Sequence, residues 1–236
     1  MLKYNEIALN IEKKIVQQDL KQGTKLPNFN EMIQEYGVSK STIVKALTIL
    51  EQRGVIYQVQ GSGVFVRRKR KYGYINVIEN QGFTTDLDDF TITSQVLTVE
   101  KILPPKNVQE NLALKTEEQV FHVKRIRFIN EQILCLEESY FCESVVPYLN
   151  EEIAGGSIFH YLRDALKLNI GFSDKYLKVK KLNAEHAQTL KLQLDDPAMY
   201  SEELFYLTSG KPFDYSKTVY HYQHSQFFLQ SSNLNN

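Results

Sequence analysis

The feature that most constrains the fold is a run of helix and turn signals in the first third of the chain. Apolar residues at helical spacing predict a first helix over 4–18, which the turn QGTKLP ends. Asn28 precedes Glu31 by three residues, a capping-box pattern that predicts a second helix, and Gly37 ends that helix. Ser39 is the N-cap of a third helix that continues to Gly54. Its buried stripe consists of Ile43, Ala46, Leu47 and Leu50.

Two short β-rich segments follow the third helix. They cover 55–59 and 64–67 and are separated by Gln60, Gly61, Ser62 and Gly63, which predicts a hairpin. Three helices and a hairpin in this order predict a winged helix-turn-helix over 1–70. The run RRKRK closes this unit, and the lower hydrophobic density after it indicates a linker over 71–80 and a second domain over 81–236.

The two parts of the chain differ in charge. The chain has no net charge, but residues 1–71 hold 13 Lys and Arg against 6 Asp and Glu, and the remainder holds 15 against 22. A basic part joined to an acidic part is expected when only the first meets a polyanion. With 42% hydrophobic and 24% charged residues, the composition is that of a globular protein.

Other classes of protein are excluded by what the sequence lacks. The chain has only two cysteines, so no disulfide framework is expected, and no Cys or His cluster has the spacing of zinc ligands. We therefore expect neither a metal nor a cofactor. Neither a membrane-length apolar run nor the apolar core of a signal peptide is present, which predicts a cytoplasmic protein without a membrane partner.

The third helix carries the candidate DNA contacts. In a helix-turn-helix the second helix of the motif lies in the major groove, and its N-terminal residues reach the bases. Off the buried stripe, the start of this helix presents Lys40, Ser41, Thr42, Val44 and Lys45, which offer donors for bases and phosphates and one apolar contact for a thymine methyl. A solvated helix face is the alternative. The hairpin and the basic run that follow favour DNA binding.

The second domain is predicted to be an α+β fold. Strand patterns cover 96–103, 119–129, 134–141, 176–182, 199–207 and 213–221, and helical patterns cover 107–115, 157–167 and 184–192. Tight turns at 130–132 and 209–212 join neighbouring strands, which favours an antiparallel sheet.

Two features of this domain are candidate anion sites. Alternation along 119–129 places Arg125 and Arg127 on one face with apolar residues, and if that face is inward the buried guanidinium groups need a partner. That partner is either Glu137 or Glu138 on the following strand or a bound phosphate or carboxylate, and the sequence leaves both open. Gly155-Gly156-Ser157 opens the helix at 157–167, where an anion or an ordinary serine cap would satisfy the backbone N–H groups.

The stretch LPNFNEMIQEYGVSKSTIVKALTILEQRGVIYQVQGSGVFV resembles the DNA-binding signature of the GntR family of dimeric bacterial regulators. The resemblance implies base or phosphate contacts at Lys40, Ser41, Thr42 and Lys45. It also implies that Gly61 and Gly63 bring the wing to the minor groove.

This chain departs from the usual family pattern at several of these positions. Asn28-Phe29-Asn30 stands where the family usually has Ser-Glu-Arg, and Lys40 and Val44 stand where it usually has arginine. A bidentate arginine supplies about 1–3 kcal/mol of base discrimination. We therefore predict an operator that differs from the common family half-site.

The segments RIRFINEQILCLEES, GSIF and GKPFDYSKTVYHY resemble the UTRA effector domain of the HutC subfamily, whose fold is shared with chorismate lyase. Many members sense phosphorylated sugars. The resemblance implies effector contacts at Thr84, Thr85, Arg125, Arg127, Glu137, Ser157, Asp214 and Tyr220. Two departures are Ile133 in place of the turn proline and His221-Tyr222-Gln223 in place of the usual arginine-glycine-aspartate.

Together these features predict a homodimeric repressor that binds a palindromic operator and is released by a small anionic metabolite such as a sugar phosphate. A lyase-like enzyme fused to a DNA-binding module is one alternative, with Glu137 and Asp214 as a carboxylate pair. We do not expect an enzyme, because the sequence has no nucleophile elbow, Walker loop or metal cluster. A nonspecific architectural DNA binder is the other alternative, but it leaves the second domain without a role.

Overall fold

The computed structural model describes residues 3–68, 73–77 and 90–229 of the 236 in the chain. These residues form two compact units: the first comprises 3–68 and Leu229, and the second comprises 73–77 and 90–228. Among them, no helix combines the length and the apolar character that crossing a membrane requires.

The first unit has the predicted order of three helices and a hairpin. Its helices are α1 (Lys3–Gln17), α2 (Phe29–Tyr36) and α3 (Lys40–Gln52), and its strands are β1 (Ile56–Val59) and β2 (Gly63–Val66). One core cluster joins all five elements, and its buried members are all apolar. The four predicted stripe residues of α3 are each fully buried, which confirms the helical phase read from the sequence.

Caps place α2 and α3 where the sequence predicts them. Asn28 Oδ1 accepts from the backbone N–H of Asn30 at 2.9 Å and of Glu31 at 3.1 Å, and Glu31 Oε2 accepts from Asn28 N at 2.7 Å. The capping box is therefore confirmed. Gly37 ends α2 in the left-handed region at φ 61°, and Ser39 caps α3.

The second unit is built on a six-stranded antiparallel sheet, as predicted. The strands of the whole unit, in chain order, are β3 (Ile75–Asn76), β4 (Ile92–Ile102), β5 (Val120–Ile129), β6 (Gln132–Cys142), β7 (Ile170–Lys181), β8 (Pro197–Leu207), β9 (Pro212–His221) and β10 (Phe227–Phe228). Strands β4 to β9 form the six-stranded sheet. The spatial order in the sheet is β4-β5-β6-β9-β8-β7, and β3 pairs separately with β10 in parallel. Its helices are α4 (Lys106–Asn111), α5 (Glu151–Gly155), α6 (Ile158–His160) and α7 (Ala184–Leu190).

Several bounds differ from the sequence-based prediction, and strand β4 begins at Ile92 rather than at residue 96. The predicted helix at 107–115 ends at Asn111, because Ala113 takes a left-handed φ of 51°. The predicted helix at 157–167 is a short α6 followed by a π-helical turn, Tyr161–Ala165. Strand β7 begins at Ile170 rather than at residue 176. In addition, Ile75–Asn76 within the predicted linker form a strand that belongs to the second unit.

The two faces of the large sheet have separate cores. One face packs against α5, α6 and the π-helical turn through a cluster that includes Phe121, Phe141 and Phe213. On the opposite face, α7 covers one end and α4 covers the other. The first of these faces is the one on which β5 places Arg125 and Arg127.

Candidate functional site

The outward side of α3 is the first candidate surface. Lys40, Ser41, Val44 and Lys45 are exposed, with 42% of Val44 accessible. Thr42 differs, because it is half-buried and its Oγ1 lies 2.9 Å from the cap oxygen of Ser39. The exposed face is thus polar and cationic around one apolar contact, while the hydroxyl of Thr42 is already engaged in the cap.

Glycine suits the two wing positions for different local reasons. Gly61 has a φ of 75°, and a Cβ there would meet no atom within 4 Å. Gly63 has a φ of 127°, and a Cβ there would lie 2.9 Å from Cε of Lys25. Lys25 also forms an isolated β-bridge to Phe65, so its cation lies at the wing. The sequence did not single out Lys25, because it lies in a turn rather than in a periodic segment.

The second candidate site is a cavity on one face of the large sheet. It has a volume of about 80 Å³, room for several water molecules at about 10–15 Å³ each. Five strands of the sheet contribute side chains, and β3, β10 and the start of α6 complete the walls. The lining residues are Ile75, Asn76, Val77, Arg125, Arg127, Glu137, Ser157, Ile158, Phe159, Lys175, Leu177, Met199, Glu203, Phe205, Ser216, Thr218, Tyr220 and Phe227.

Arg125, Arg127 and Glu137 form the most buried charged group of the cavity. Nη2 of Arg125 donates to Glu137 Oε1 at 2.9 Å, and Nη1 of Arg127 lies 3.8 Å from Glu137 Oε2. Burial raises the pKa of Glu137, but the two guanidinium groups outweigh it, so the net pKa is lowered and the carboxylate is ionised. Burial, followed by repulsion from Arg125, lowers the pKa of Arg127.

The structure contains the Arg125–Glu137 salt bridge that the sequence left as one alternative. Arg125 also donates from Nη1 to the carbonyl oxygens of Ala154 at 2.7 Å and Gly156 at 3.2 Å. Ser157 accepts from His160 N at 3.3 Å, so it caps its helix as well as lining the cavity. Arg125 therefore joins the sheet to the loop that places Ser157.

The other predicted effector contacts differ in their position relative to the cavity. Tyr220 lines the cavity. Asp214 does not, because it is fully buried next to it, with Oδ1 2.7 Å from Ser216 Oγ. Burial raises the pKa of Asp214 well above its ordinary value, which favours the neutral acid. Thr84 and Thr85 lie outside the described residues.

Sequence reasoning missed the polar residues that β7, β8 and β9 add to the cavity. Lys175, Glu203 and Thr218 line it, and Lys175 Nζ lies 3.2 Å from Glu203 Oε2. The predicted strand begins at residue 176, so its alternation does not extend to Lys175. Glu203 lay inside a predicted strand, but the sequence provided no reason to select it.

Ile133 and His221, two positions at which the chain departs from the usual UTRA pattern, are linked through His224. The carbonyl oxygen of Ile133 lies 2.8 Å from Nδ1 of His224, and the ring of His224 stacks on that of His221 with centroids 3.9 Å apart. His221 is 4% exposed and does not line the cavity. These positions therefore contribute to packing at the end of β9.

Comparisons with known proteins agree with both units. The family model of bacterial regulatory proteins of the gntR family matches residues 3–66, and that of the UTRA domain matches residues 89–225. The chain belongs to the GntR family, in its UTRA-containing branch. It is a transcriptional regulator with an operator-binding domain followed by a domain of the kind that binds small-molecule effectors.

Two relatives match this GntR regulator over nearly its full length. It is 49% identical over 234 residues to the uncharacterized HTH-type transcriptional regulator YydK of Bacillus subtilis, covering 99% of both chains. A crystal structure of YydK from Bacillus subtilis aligns with a TM-score of 0.86 at 48% identity, covering 98% of this chain and 100% of that one. The mannosyl-D-glycerate transport/metabolism system repressor MngR of Escherichia coli is 27% identical, covering 96% of this chain and 94% of that protein.

Proposed function

We propose that this regulator is a homodimeric repressor that leaves a palindromic operator when a phosphorylated sugar binds in the cavity of its second unit. The observation that carries the effector class is the pair of buried arginines in the cavity wall. Arg125 and Arg127 are each 4% exposed and share Glu137. Burying such charges costs several kcal/mol per ion, of the order that an anionic ligand can offset.

The charge of the cavity favours an anion. Among the described residues, its lining has three cations, Arg125, Arg127 and Lys175, against two carboxylates, Glu137 and Glu203. Planar guanidinium groups match the oxygens of phosphate or carboxylate. The net positive lining therefore supports a ligand with at least one negative charge.

The remaining walls favour a compact organic ligand over a bare ion. Phe159, Phe205, Met199 and Leu177 supply apolar surface, while Ser216 and Thr218 supply hydroxyls. A sugar ring presents C–H groups beside hydroxyls, so it suits this mixture. The name of MngR links that relative to a carbohydrate derivative, which supports the same class.

The first unit supports operator binding through α3 and the wing. Lys40, Ser41 and Lys45 are exposed donors at the start and first turns of α3, and Lys25 adds a cation at the wing. We keep Thr42 as a weaker candidate because its hydroxyl contacts Ser39. A dimer would place two such helices on the two half-sites of a palindrome.

The enzyme alternative has little support from the cavity. Asp214 does not open onto it, and Glu137 is held by Arg125. The proposed carboxylate pair therefore does not face one substrate. The names of the relatives describe regulators, and we propose that the cavity senses its ligand without converting it.

The test is thermal unfolding of the full chain against sugar phosphates, the matching free sugars and small carboxylates, because a ligand of the native state raises the midpoint. We expect a rise with a sugar phosphate that is lost in Arg127→Ala and kept in Lys178→Ala, a charge removal at an exposed position of β7. A rise with free sugars alone, or a rise that survives Arg127→Ala, would contradict the proposal.

A further inference from the structure

The cavity has a second polar group, on the opposite side from the arginines. Glu203 on β8 and Lys175 on β7 both line the cavity, and their side chains are 13% and 19% exposed. Strands β6 and β9 lie between β5 and β8, so about 14 Å of sheet separates the arginine strand from Glu203 at a strand spacing of about 4.8 Å. One ligand can therefore contact both groups only if it extends across the cavity.

Glu203 is held in a defined orientation. Ser173 Oγ donates to its Oε1 at 2.6 Å, and Lys175 Nζ lies 3.2 Å from its Oε2. Burial raises the pKa of Glu203, and Lys175 and Ser173 partly offset that rise. A carboxylate has about four lone-pair sites, so the two contacts leave acceptor capacity towards the cavity.

Lys175 is oriented as firmly as its partner. Its Nζ also donates to the carbonyl oxygen of Val77 at 2.9 Å, next to the short strand β3. An ammonium group has three N–H donors, and Glu203 and Val77 account for two of them in the described part of the chain. The pair therefore offers one donor and several acceptors side by side.

We infer that Glu203 and Lys175 form a hydroxyl-recognition subsite, which reads the sugar hydroxyls farthest from the phosphate that the arginines hold. A neighbouring donor and acceptor match a hydroxyl, which both donates and accepts. A site built to hydrogen-bond a hydroxyl discriminates strongly against ligands that lack it, because its buried polar groups are then left unpaired. This inference rests on the proposed function, and it makes Glu203 and Lys175 determinants of which sugar phosphate is bound.

The experiment measures dissociation constants of wild type and variants by titration calorimetry. The ligands are the 6-phosphates of glucose, mannose, galactose and N-acetylglucosamine, and thermal shifts with inorganic phosphate serve as the hydroxyl-free comparison. For the hexose 6-phosphate that wild type binds most tightly, Glu203→Gln should weaken binding about 10- to 100-fold, the value of a hydrogen bond to a charged group. The shift with inorganic phosphate should remain.

Two further variants keep the test decisive. Glu202→Gln, at the exposed neighbouring position on β8, is the matched control and should bind like wild type. Lys175→Met should show the same selective loss as Glu203→Gln, while Lys178→Met should not; this pair also decides the matter if Glu203→Gln fails to fold.

The possible failures can be told apart. If wild type binds no sugar phosphate, the proposed function fails and the subsite fails with it, whether or not inorganic phosphate raises the midpoint. If wild type binds a hexose phosphate and both Glu203→Gln and Lys175→Met leave that binding unchanged, the subsite alone is wrong. The subsite alone is also wrong if the two variants weaken the response to inorganic phosphate as much as they weaken hexose phosphate binding. In the equal-loss case the pair only maintains the cavity.

Discussion

The two units of this chain place charged side chains in opposite ways. In the DNA-binding unit the core is entirely apolar, and the lysines of α3 and the wing are exposed. In the effector unit Arg125, Arg127 and Asp214 are each at most 4% exposed. Every buried polar or charged residue among those described lies in that unit. Exposed charges cost little to maintain, whereas buried ones must be paired. We propose that the first unit uses its exposed charges to contact DNA, and that the second uses its buried charges to bind a ligand in the cavity.

The difference in burial predicts that removing a charge destabilises the second unit far more than the first. Arg125→Ala removes the salt bridge to buried Glu137 and two hydrogen bonds to carbonyl oxygens just before Ser157. We expect a loss of about 3–5 kcal/mol in the free energy of unfolding of the second unit, as for other broken buried ion pairs. Lys40→Ala should change stability by less than about 0.5 kcal/mol. Urea denaturation measures both, and similar losses from the two variants would contradict the contrast.

The next effect concerns operator binding. Lys40→Ala should weaken it by about 1–3 kcal/mol if Lys40 contacts a base. If Lys40 contacts a phosphate instead, the plot of log affinity against log salt should become less steep, its negative slope decreasing in magnitude by about one. Fluorescence anisotropy on operator DNA at several salt concentrations distinguishes the two. The control is Lys13→Ala on α1, and an equal loss there would show that only net charge matters.

In the first unit, local caps determine where α2 and α3 begin. Asn28→Ala removes the acceptor of two backbone N–H groups and should cost about 1 kcal/mol of stability. Asn30→Ala, in the same first turn, should cost less because its side chain makes no cap bond in the described structure. Thermal unfolding of both variants provides the comparison, and equal losses would show that the capping box contributes nothing specific.

The smallest effect lies on the face of the sheet away from the cavity. His122 contacts Glu138 at 2.9 Å and Glu100 at 3.1 Å, and the bond to Glu138 is the main reason its pKa is raised above 6.5. A raised pKa means stability that is full below pH 6.5 and lost as pH rises through the higher folded value. For this partly exposed pair we expect at most about 1 kcal/mol.

The measurement is the unfolding free energy of wild type and His122→Gln between pH 6 and pH 8.5. The advantage of wild type should shrink as the pH rises. A constant difference would mean that His122 contributes packing against Tyr140, on which its ring stacks at 4.7 Å, rather than charge.

How far the sequence predicts each unit follows from the range of its interactions. The helices, caps and wing of the first unit depend on residues a few positions apart. Asn28, Gly37 and Ser39 therefore locate α2 and α3, and Gly61 and Gly63 locate the turn of the wing. The tight turns between neighbouring strands predict the antiparallel sheet, and alternation along β5 predicts that Arg125 and Arg127 share one face. The cavity did not, because Lys175 meets Val77 across 98 positions in the chain. Asp214 was placed among the contacts by resemblance, and only the packing around it shows that it lies behind the wall.

We propose that the operator and a sugar phosphate bind to different states of one protein and therefore compete. The most direct measurement is operator affinity at increasing concentrations of the sugar phosphate that raises the unfolding midpoint most. We predict a fall of about 5- to 150-fold, with an equal loss of effector affinity when operator DNA is bound. An operator affinity that stays constant while the cavity is saturated would contradict the account.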